Sequence, residues 1–503
     1  VAVHGYHPFA EDGGLYLPEI KRLLRPELYP QGAEFVVGHL RFSVFAPVMA
    51  GLVRWSHLPV EMVLLLVHLA SFWTTLFAAW VLAARCYKSR EARGGAVALL
   101  AVWMTLPVAG TSLMLMDPYV TARSFSTPFS LLALVGALEF LLPRDRAGLV
   151  GWSASQVRGL MLCCGALAGA GAMHPLMGAY ALGCVMVLGC AMSSRRQVRV
   201  WGTMGLCCAA VTVAGSVQMS GVPESKAYLS VVLTRYYWFL SEWHWYELMG
   251  LMAPLAILGV VALGRRGWSP VEGDDAARVG LARMAVVSGA MAVTVAALFA
   301  RVGLATHSVA RLQPLRIFQL VYVVMILAVG AGLGERVLRR SAARWLLVFS
   351  LLAGVMMFAE RKTYPESARV ELPGAMPWSA PENPWEQAFV WISRNTPRDA
   401  LFALDSHYIN LPGEDAQGFR AIAERSMLPD YSKDGGVVAN KPALTEEWMQ
   451  GVAAQERLST ENDAARMEAL RPLGVGWVVL DRGAATGFRC DYANGVVKVC
   501  RLP

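Results

Sequence analysis

Ten stretches of this sequence run for fifteen residues or more with almost no charge, at about 59–84, 94–113, 125–142, 159–173, 176–192, 200–217, 247–264, 283–301, 315–334 and 344–359. A hydrocarbon core of about 30 Å takes roughly 20 residues of helix, so such runs read as membrane spans. The chain is therefore expected to be a polytopic α-helical membrane protein of about ten spans. Composition excludes the soluble alternative: 55% of the 503 residues are hydrophobic, only 16% are charged, and the mean hydropathy is +0.43. The least regular pair is 159–173 and 176–192, where His174-Pro175 interrupts what could otherwise be one re-entrant element.

The net charge of +8 is a topology signal, because Lys and Arg cluster between the apolar runs. Nucleic acid is not an implied partner. Arg85, Lys88, Arg90 and Arg93 follow the first span; Arg144, Arg146 and Arg158 follow the third; Arg195, Arg196 and Arg199 the fifth; Arg265, Arg266 and Arg278 the seventh; Arg336, Arg339, Arg340 and Arg344 the ninth. These are alternate loops, and the positive-inside rule makes them cytoplasmic. The other set then lies outside: 1–58, 114–124, His174-Pro175, 218–246, 302–314 and the tail from 360. Seven of the nine Cys lie in or beside apolar runs and read as packing residues, with no CxxC or Cys/His metal pattern.

The outside segments hold the chemically unusual residues. Near the start, Glu11 and Asp12 stand between a Pro and a Gly-Gly. They are either a helix cap or the acids of a site at the membrane surface. Residues 15–24 suit a short amphipathic helix, and 35–55, which carry His39, Arg41 and Arg54, suit a helix lying in the interface. Loop 114–124 brings Asp117, Tyr119 and Arg123 together; loop 218–246 carries Lys226, Arg235 and a run of aromatics that suits an interfacial belt; loop 302–314 leads into Arg311, Gln313 and Arg316. An Arg fork matches phosphate geometry, so Arg123, Arg235, Arg311 and Arg316 are candidate anion ligands, with His174, Tyr119, Gln313 and Lys226 as further polar candidates.

After the last span the composition changes. Residues 360–384 hold five Pro and read as a linker, and 385–503 read as a small α/β domain. A helix is expected over 385–394, strands near 400–404 and 475–480, and a charged helical stretch over 446–470. Asn494-Gly495 marks a hairpin. Its simplest two-residue register puts Cys490 opposite Val499, so a disulfide to Cys500 requires a bulge or a slip. Segment 418–425 reads as a solvated helix or a sugar-binding one. The domain plan is thus an outside loop 1–58, a bundle 59–359, a linker 360–384 and an extracytoplasmic domain 385–503.

This layout resembles the C-type superfamily of integral-membrane glycosyltransferases, the GT-C fold. Those enzymes carry an acidic motif and two interfacial helices in the first outside loop, often a second acid in the next, and a soluble domain after the last span. Glu11-Asp12, segments 15–24 and 35–55, Asp117 and residues 385–503 occupy those places. The stretches Tyr6-His-Pro-Phe-Ala-Glu-Asp-Gly-Gly, Asp117-Pro-Tyr-Val-Thr-Ala-Arg-Ser and Leu312-Gln-Pro-Leu-Arg look like a bacterial branch of such proteins. The chain departs from the pattern by lacking the first span and by its Glu-Asp pair in place of separated acids. The resemblance implies sugar transfer from a polyprenyl-phosphate-type donor in the lipid to an extracytoplasmic lipid, glycan or protein acceptor, in a bacterial inner membrane. It implies Asp12 as base, Glu11 or Asp117 orienting the acceptor, and the four Arg on the donor phosphate. Some relatives use a divalent metal, for which Glu11, Asp12 and Asp117 are the candidate ligands. A non-catalytic envelope membrane protein and, behind it, a secondary transporter are the other readings.

Overall fold

The structure is a computed structural model and describes residues 1–38, 43–142, 152–263, 275–372, 381–408 and 418–503. Among these, nine helices are long and apolar enough to cross a membrane: Val60–Cys86, Ala122–Leu141, Ala154–Met173, Pro175–Met192, Val198–Met219, Trp245–Leu263, Ala276–Phe299, Ser308–Leu338 and Ala342–Thr363. The protein is a multi-pass membrane protein. Nine of the ten expected spans are helices. The exception is 94–113, where helix Arg90–Val102 ends after 13 residues and hands over to a hairpin of β1 (Pro107–Val108) and β2 (Leu113–Met114). Helix of that length rises only about 20 Å, so the return crossing is half helix and half irregular chain. Irregular backbone is tolerated at membrane depth only where protein or a cavity surrounds it. Val108, Leu113, Leu115 and Met116 are all buried here.

Small residues set the tightest helix contacts. A Cβ on Gly136 would stand 2.6 Å from the Gly159 carbonyl oxygen, and one on Gly159 would stand 2.7 Å from that of Gly136. Such close backbones replace the hydrophobic drive that is missing between helices in lipid. His174 does not sit in a re-entrant turn. Its Nδ1 accepts from the Met177 backbone N–H, capping Pro175–Met192, and the two flanking helices are separate. Ion pairs Arg85–Glu139 (3.1 Å) and Arg340–Glu91 (3.2 Å) tie together loops read as cytoplasmic. The clusters at Arg144, Arg146, Arg265 and Arg266 lie outside the described residues, as do His39 and Arg41.

At the opposite end, the first-loop helix Gly13–Leu24 and helix Phe45–Ser56 lie under the C-terminal domain. The interfacial helix expected over 35–55 is shorter than its apolar run and starts at Phe45; a separate turn of helix, Ala33–Val36, precedes it. The domain is a mixed five-stranded sheet in the order β4-β3-β5-β7-β6, built from β3 (Leu401–Ala403), β4 (Ser426–Met427), β5 (Trp477–Asp481), β6 (Arg489–Ala493) and β7 (Val497–Arg501). Helix Pro384–Asn395 covers it, and the charged stretch forms two helices, Thr445–Gln455 and Asp463–Leu470. The hairpin does not keep its simplest register. Ala493 pairs with Lys498 and Tyr492 with Val499, and an irregularity between Cys490 and Tyr492 then brings Cys490 opposite Cys500, to which it is disulfide-bonded.

The loop and the domain share one core. Phe9, Tyr16, Leu17 and Phe45 pack in the same cluster as Trp385, Phe389, Phe402 and Trp477. Lys21 and Arg25 both pair with Glu424, at 3.0 and 2.6 Å. The expected linker is partly pinned: the Tyr6 N–H donates to the Arg369 carbonyl and the Glu371 N–H to the Tyr6 carbonyl. Residues 373–380 lie outside the description. Segment 418–425 is neither solvated nor open to sugar. Phe419–Ala423 is buried throughout, and Arg420 forks onto Asp434 at 2.8 and 2.9 Å.

Candidate active site

A cavity of about 550 Å³ opens where the bundle meets the first loop and the domain. Glu11, Asp12, Asp117, Tyr119, Arg235 and Arg316 line it, together with the β1–β2 hairpin, Tyr236, Tyr237, Glu247, Tyr364 and a domain segment from Tyr431 to Lys433. The hairpin that breaks the expected second span is therefore a wall of this cavity, which explains why irregular chain is tolerated there.

Local structure places the acids. Glu11 adopts a left-handed backbone (φ 48°), turning the chain into helix Gly13–Leu24. Asp12 stands at the N-cap position of that helix, but its side chain makes no capping bond. Its carboxylate reaches across 111 positions of sequence to Arg123, whose Nη2 donates to Asp12 Oδ2 at 2.9 Å. The same nitrogen donates to Asp117 Oδ2 at 2.9 Å, and Arg123 Nε donates to that oxygen at 3.2 Å. Capping therefore does not account for Asp12. A capping box built by Thr121 and Ser124 fixes the start of helix Ala122–Leu141 and so the backbone of Arg123. The loops are held in register by the His7 N–H, which donates to the Pro118 carbonyl at 2.8 Å. The His7 ring stands between Glu371 (3.0 Å) and Glu360 (3.1 Å) and stacks on Tyr364.

The two aspartates differ electrostatically. Burial works to raise the Asp12 carboxyl, but Arg123, Lys433 and Arg316 outweigh it and hold it well below the usual carboxylate range. For Asp117, only 4% exposed, burial dominates over Arg123, and Asp12 adds to it, so its carboxyl is raised. Burial also raises the Tyr119 phenol far above its ordinary value, with help from Asp117 and Asp12.

The four arginines have separated tasks. Arg123 is spent on the two aspartates rather than presented to a phosphate. Arg235 donates to the Ser432 and Tyr431 carbonyls and to Thr234, so it pins the domain segment to the bundle. Arg311 is outside the cavity lining; it pairs with Glu224 at 2.6 Å and lies over the Tyr228 ring. Arg316 is half-buried and lines the cavity, and its Nε has no partner among the described residues. Of the remaining candidates, Tyr119 lines the cavity, whereas His174, Gln313 and Lys226 do not. Gln313 instead forms the left-handed joint (φ 49°) between Ser308–Leu312 and Pro314–Ile317, and Lys226 is an exposed first residue of helix Lys226–Leu233. The aromatic run divides as well: Trp238 and Trp243 are buried, while Trp245 is 76% exposed.

One cavity residue had no sequence signal. Lys433 comes from the C-terminal domain and ion-pairs with Glu11. Burial opposes its charge, but Glu11 and Asp12 outweigh that and raise its ammonium above the ordinary value. A lone Lys in a polar Ser-Lys-Asp-Gly-Gly turn reads as solvent-facing; only the docking of the domain against the first loop reveals it. The acids also fail to form an open metal site. The guanidinium of Arg123 fills the space between Asp12 and Asp117, Glu11 turns to Lys433, and no group of three or more His, Cys, Asp or Glu among the described residues is placed to hold a metal ion.

No family model matches the sequence, and no curated protein does. Solved structures of similar overall shape include the oligosaccharyltransferase of Archaeoglobus fulgidus in complex with Zn and sulfate, at 11% identity over 94% of this chain with a TM-score of 0.46. The archaeal oligosaccharyltransferase AglB from the same organism, in complex with an inhibitory peptide and a dolichol-phosphate, is 12% identical over 94% of this chain with a TM-score of 0.43. The chain spans 64% and 66% of their lengths. At these identities and TM-scores the likeness is one of overall shape, and it extends to no residue, substrate or partner.

Proposed function

We propose that this protein is a membrane glycosyltransferase that takes a sugar from a polyprenyl-phosphate-type donor in the lipid and passes it to an acceptor at the outer face. The observation that carries the reading is the convergence of Asp12 and Asp117, from two different outside loops, on one cavity that Arg316 also faces. Transfer needs a group to take the acceptor's proton and positive charge on the departing phosphate. Asp12 is the more open of the two acids and keeps its charge, so it receives the acceptor's hydrogen bond and later its proton. Asp117 and Arg123 hold it in place. Arg316 supplies the fork for the phosphate. Lipid approaches from the bundle side and the acceptor from the side of the domain, which is extracytoplasmic in a bacterial inner membrane. The Cys490–Cys500 disulfide suits an oxidising compartment of that kind.

The test is transfer itself. The purified chain in proteoliposomes is given polyprenyl phosphates carrying radiolabelled sugars, with an envelope extract as acceptor. Label should leave the lipid fraction with wild-type protein and stay there with Asp12→Asn. A chain that moves no label but takes up free solute would be a transporter.

A further inference from the structure

We propose that Arg123 does permanently what a divalent cation would do in this acidic site, so that the cavity works without a bound metal. Two carboxylates from separate loops, pointed at one spot, are the usual makings of a cation site. Here the spot is taken by a group of the chain's own. Arg123 Nη2 lies 2.9 Å from Oδ2 of both Asp12 and Asp117, within charge-assisted hydrogen-bond range of each.

The arginine is not free to leave. Its Nε also donates to Asp117, its side chain is 4% exposed, and Thr121 caps the helix turn that carries it. Swinging it out would leave Asp117 charged and unpaired in a buried place. The third acid is committed too, since Glu11 pairs with Lys433 of the C-terminal domain. Every acid named as a possible ligand is therefore ion-paired with a side chain of this protein.

The charge count gives the consequence. Two carboxylates and one guanidinium leave a net −1, enough to keep one carboxylate working toward an acceptor, whereas a divalent ion would bring the pair to zero. The inference deepens the reading of the cavity as a transfer site, but its test reads metal binding alone, so a failed transfer assay does not decide it.

Tag-free, full-length protein in detergent is titrated with Mn²⁺ and followed by electron paramagnetic resonance, with the thermal midpoint measured in Mn²⁺ and in chelator. The wild type should leave the free Mn²⁺ signal undiminished, with the same midpoint in both. Arg123→Ala should acquire one Mn²⁺ per chain, and Arg123→Ala with Asp117→Asn should lose it again. One tightly held Mn²⁺ in the wild type, or a midpoint that rises with Mn²⁺, overturns the proposal. So does a folded Arg123→Ala chain that binds none. If that variant does not fold, the wild-type titration and midpoint decide alone.

Discussion

Asp12 carries the sharpest residue-scale consequence, because the proposed role and a purely structural one predict opposite outcomes. As the carboxylate that meets the acceptor, it cannot be replaced by an amide: Asp12→Asn should lower transfer by about 10²–10⁴, the usual worth of general-base assistance. Stability should fall by only about 1 kcal/mol, since Arg123 keeps Asp117 as a partner. Asp117→Asn should also slow transfer, and the double variant should be far from additive because both acids act through one guanidinium. Turnover normalised to folded protein measures this, and wild-type turnover in Asp12→Asn would remove Asp12 from the chemistry. The arginines give a second prediction. Arg316→Ala should weaken binding of a polyprenyl phosphate by about 1–3 kcal/mol, and Arg316→Lys should recover part of it. Arg311→Ala should leave that binding unchanged, because Glu224 already holds Arg311. Equal losses at both positions would mean that the cavity does not discriminate between them. Asp12, Asp117, Tyr119 and Arg316, which line the cavity, stand out in the sequence as unusual polar residues at span ends against an apolar background. The pairing of Arg123 does not, since an Arg six residues after an Asp looks the same whether it faces a phosphate or that Asp. The pairing of Arg311 is equally hidden in the sequence: its partner Glu224 lies 87 positions away.

Among the elements, helix Pro384–Asn395 holds a buried acid with a defined pH signature. Burial, reinforced by Glu371, pushes the Glu386 carboxyl up to about 9, and its Oε1 has no partner among the described residues. Its folded-state value lies above the ordinary 4.5, so the folded protein keeps a proton that the unfolded chain has lost. Stability is then full below about pH 4.5 and declines as pH rises toward about 9. Glu386→Gln keeps the shape and cannot ionise. It should flatten that decline and gain a few kcal/mol by pH 8.5, on the scale of about 1.36 kcal/mol per pKa unit. Denaturation of the intact chain at pH 5 and pH 8.5 checks it; an equal effect at the two values would show that Glu386 is ionised in the fold. Hydropathy determines some elements of this fold and not others. Nine long helices follow from length and hydropathy alone. Segment 94–113 is as apolar as they are, yet it is half hairpin, because hydropathy reports burial and not backbone shape. The 418–425 segment failed in the opposite direction: Arg420 looked solvated, but Asp434 neutralises it inside the domain.

For the whole molecule, the sequence divides into loop, bundle, linker and domain, whereas the folded chain joins loop and domain through one core and one cavity. The division came from composition, which changes sharply at residue 360. The junction depends on pairs such as Lys21–Glu424 and Glu11–Lys433, roughly four hundred positions apart, that no local pattern encodes. Orientation follows from the charged loops and can be tested as a unit. Arg85 pairs with Glu139 and Arg340 with Glu91, so loops from three separate parts of the chain meet at one end, and the acidic cavity opens at the other. By the positive-inside rule the first end is expected in the cytoplasm. Single cysteines at Ser89 and at Glu461 distinguish the two faces, in a background where the exposed thiols of Cys164 and Cys208 are changed to Ser. In intact cells stripped of their outer barrier, an impermeant maleimide should label position 461 and spare position 89, and lysis should expose both. Labelling of position 89 before lysis would invert the protein. The acids of the cavity would then face the cytoplasm, on the wrong side for an extracytoplasmic acceptor.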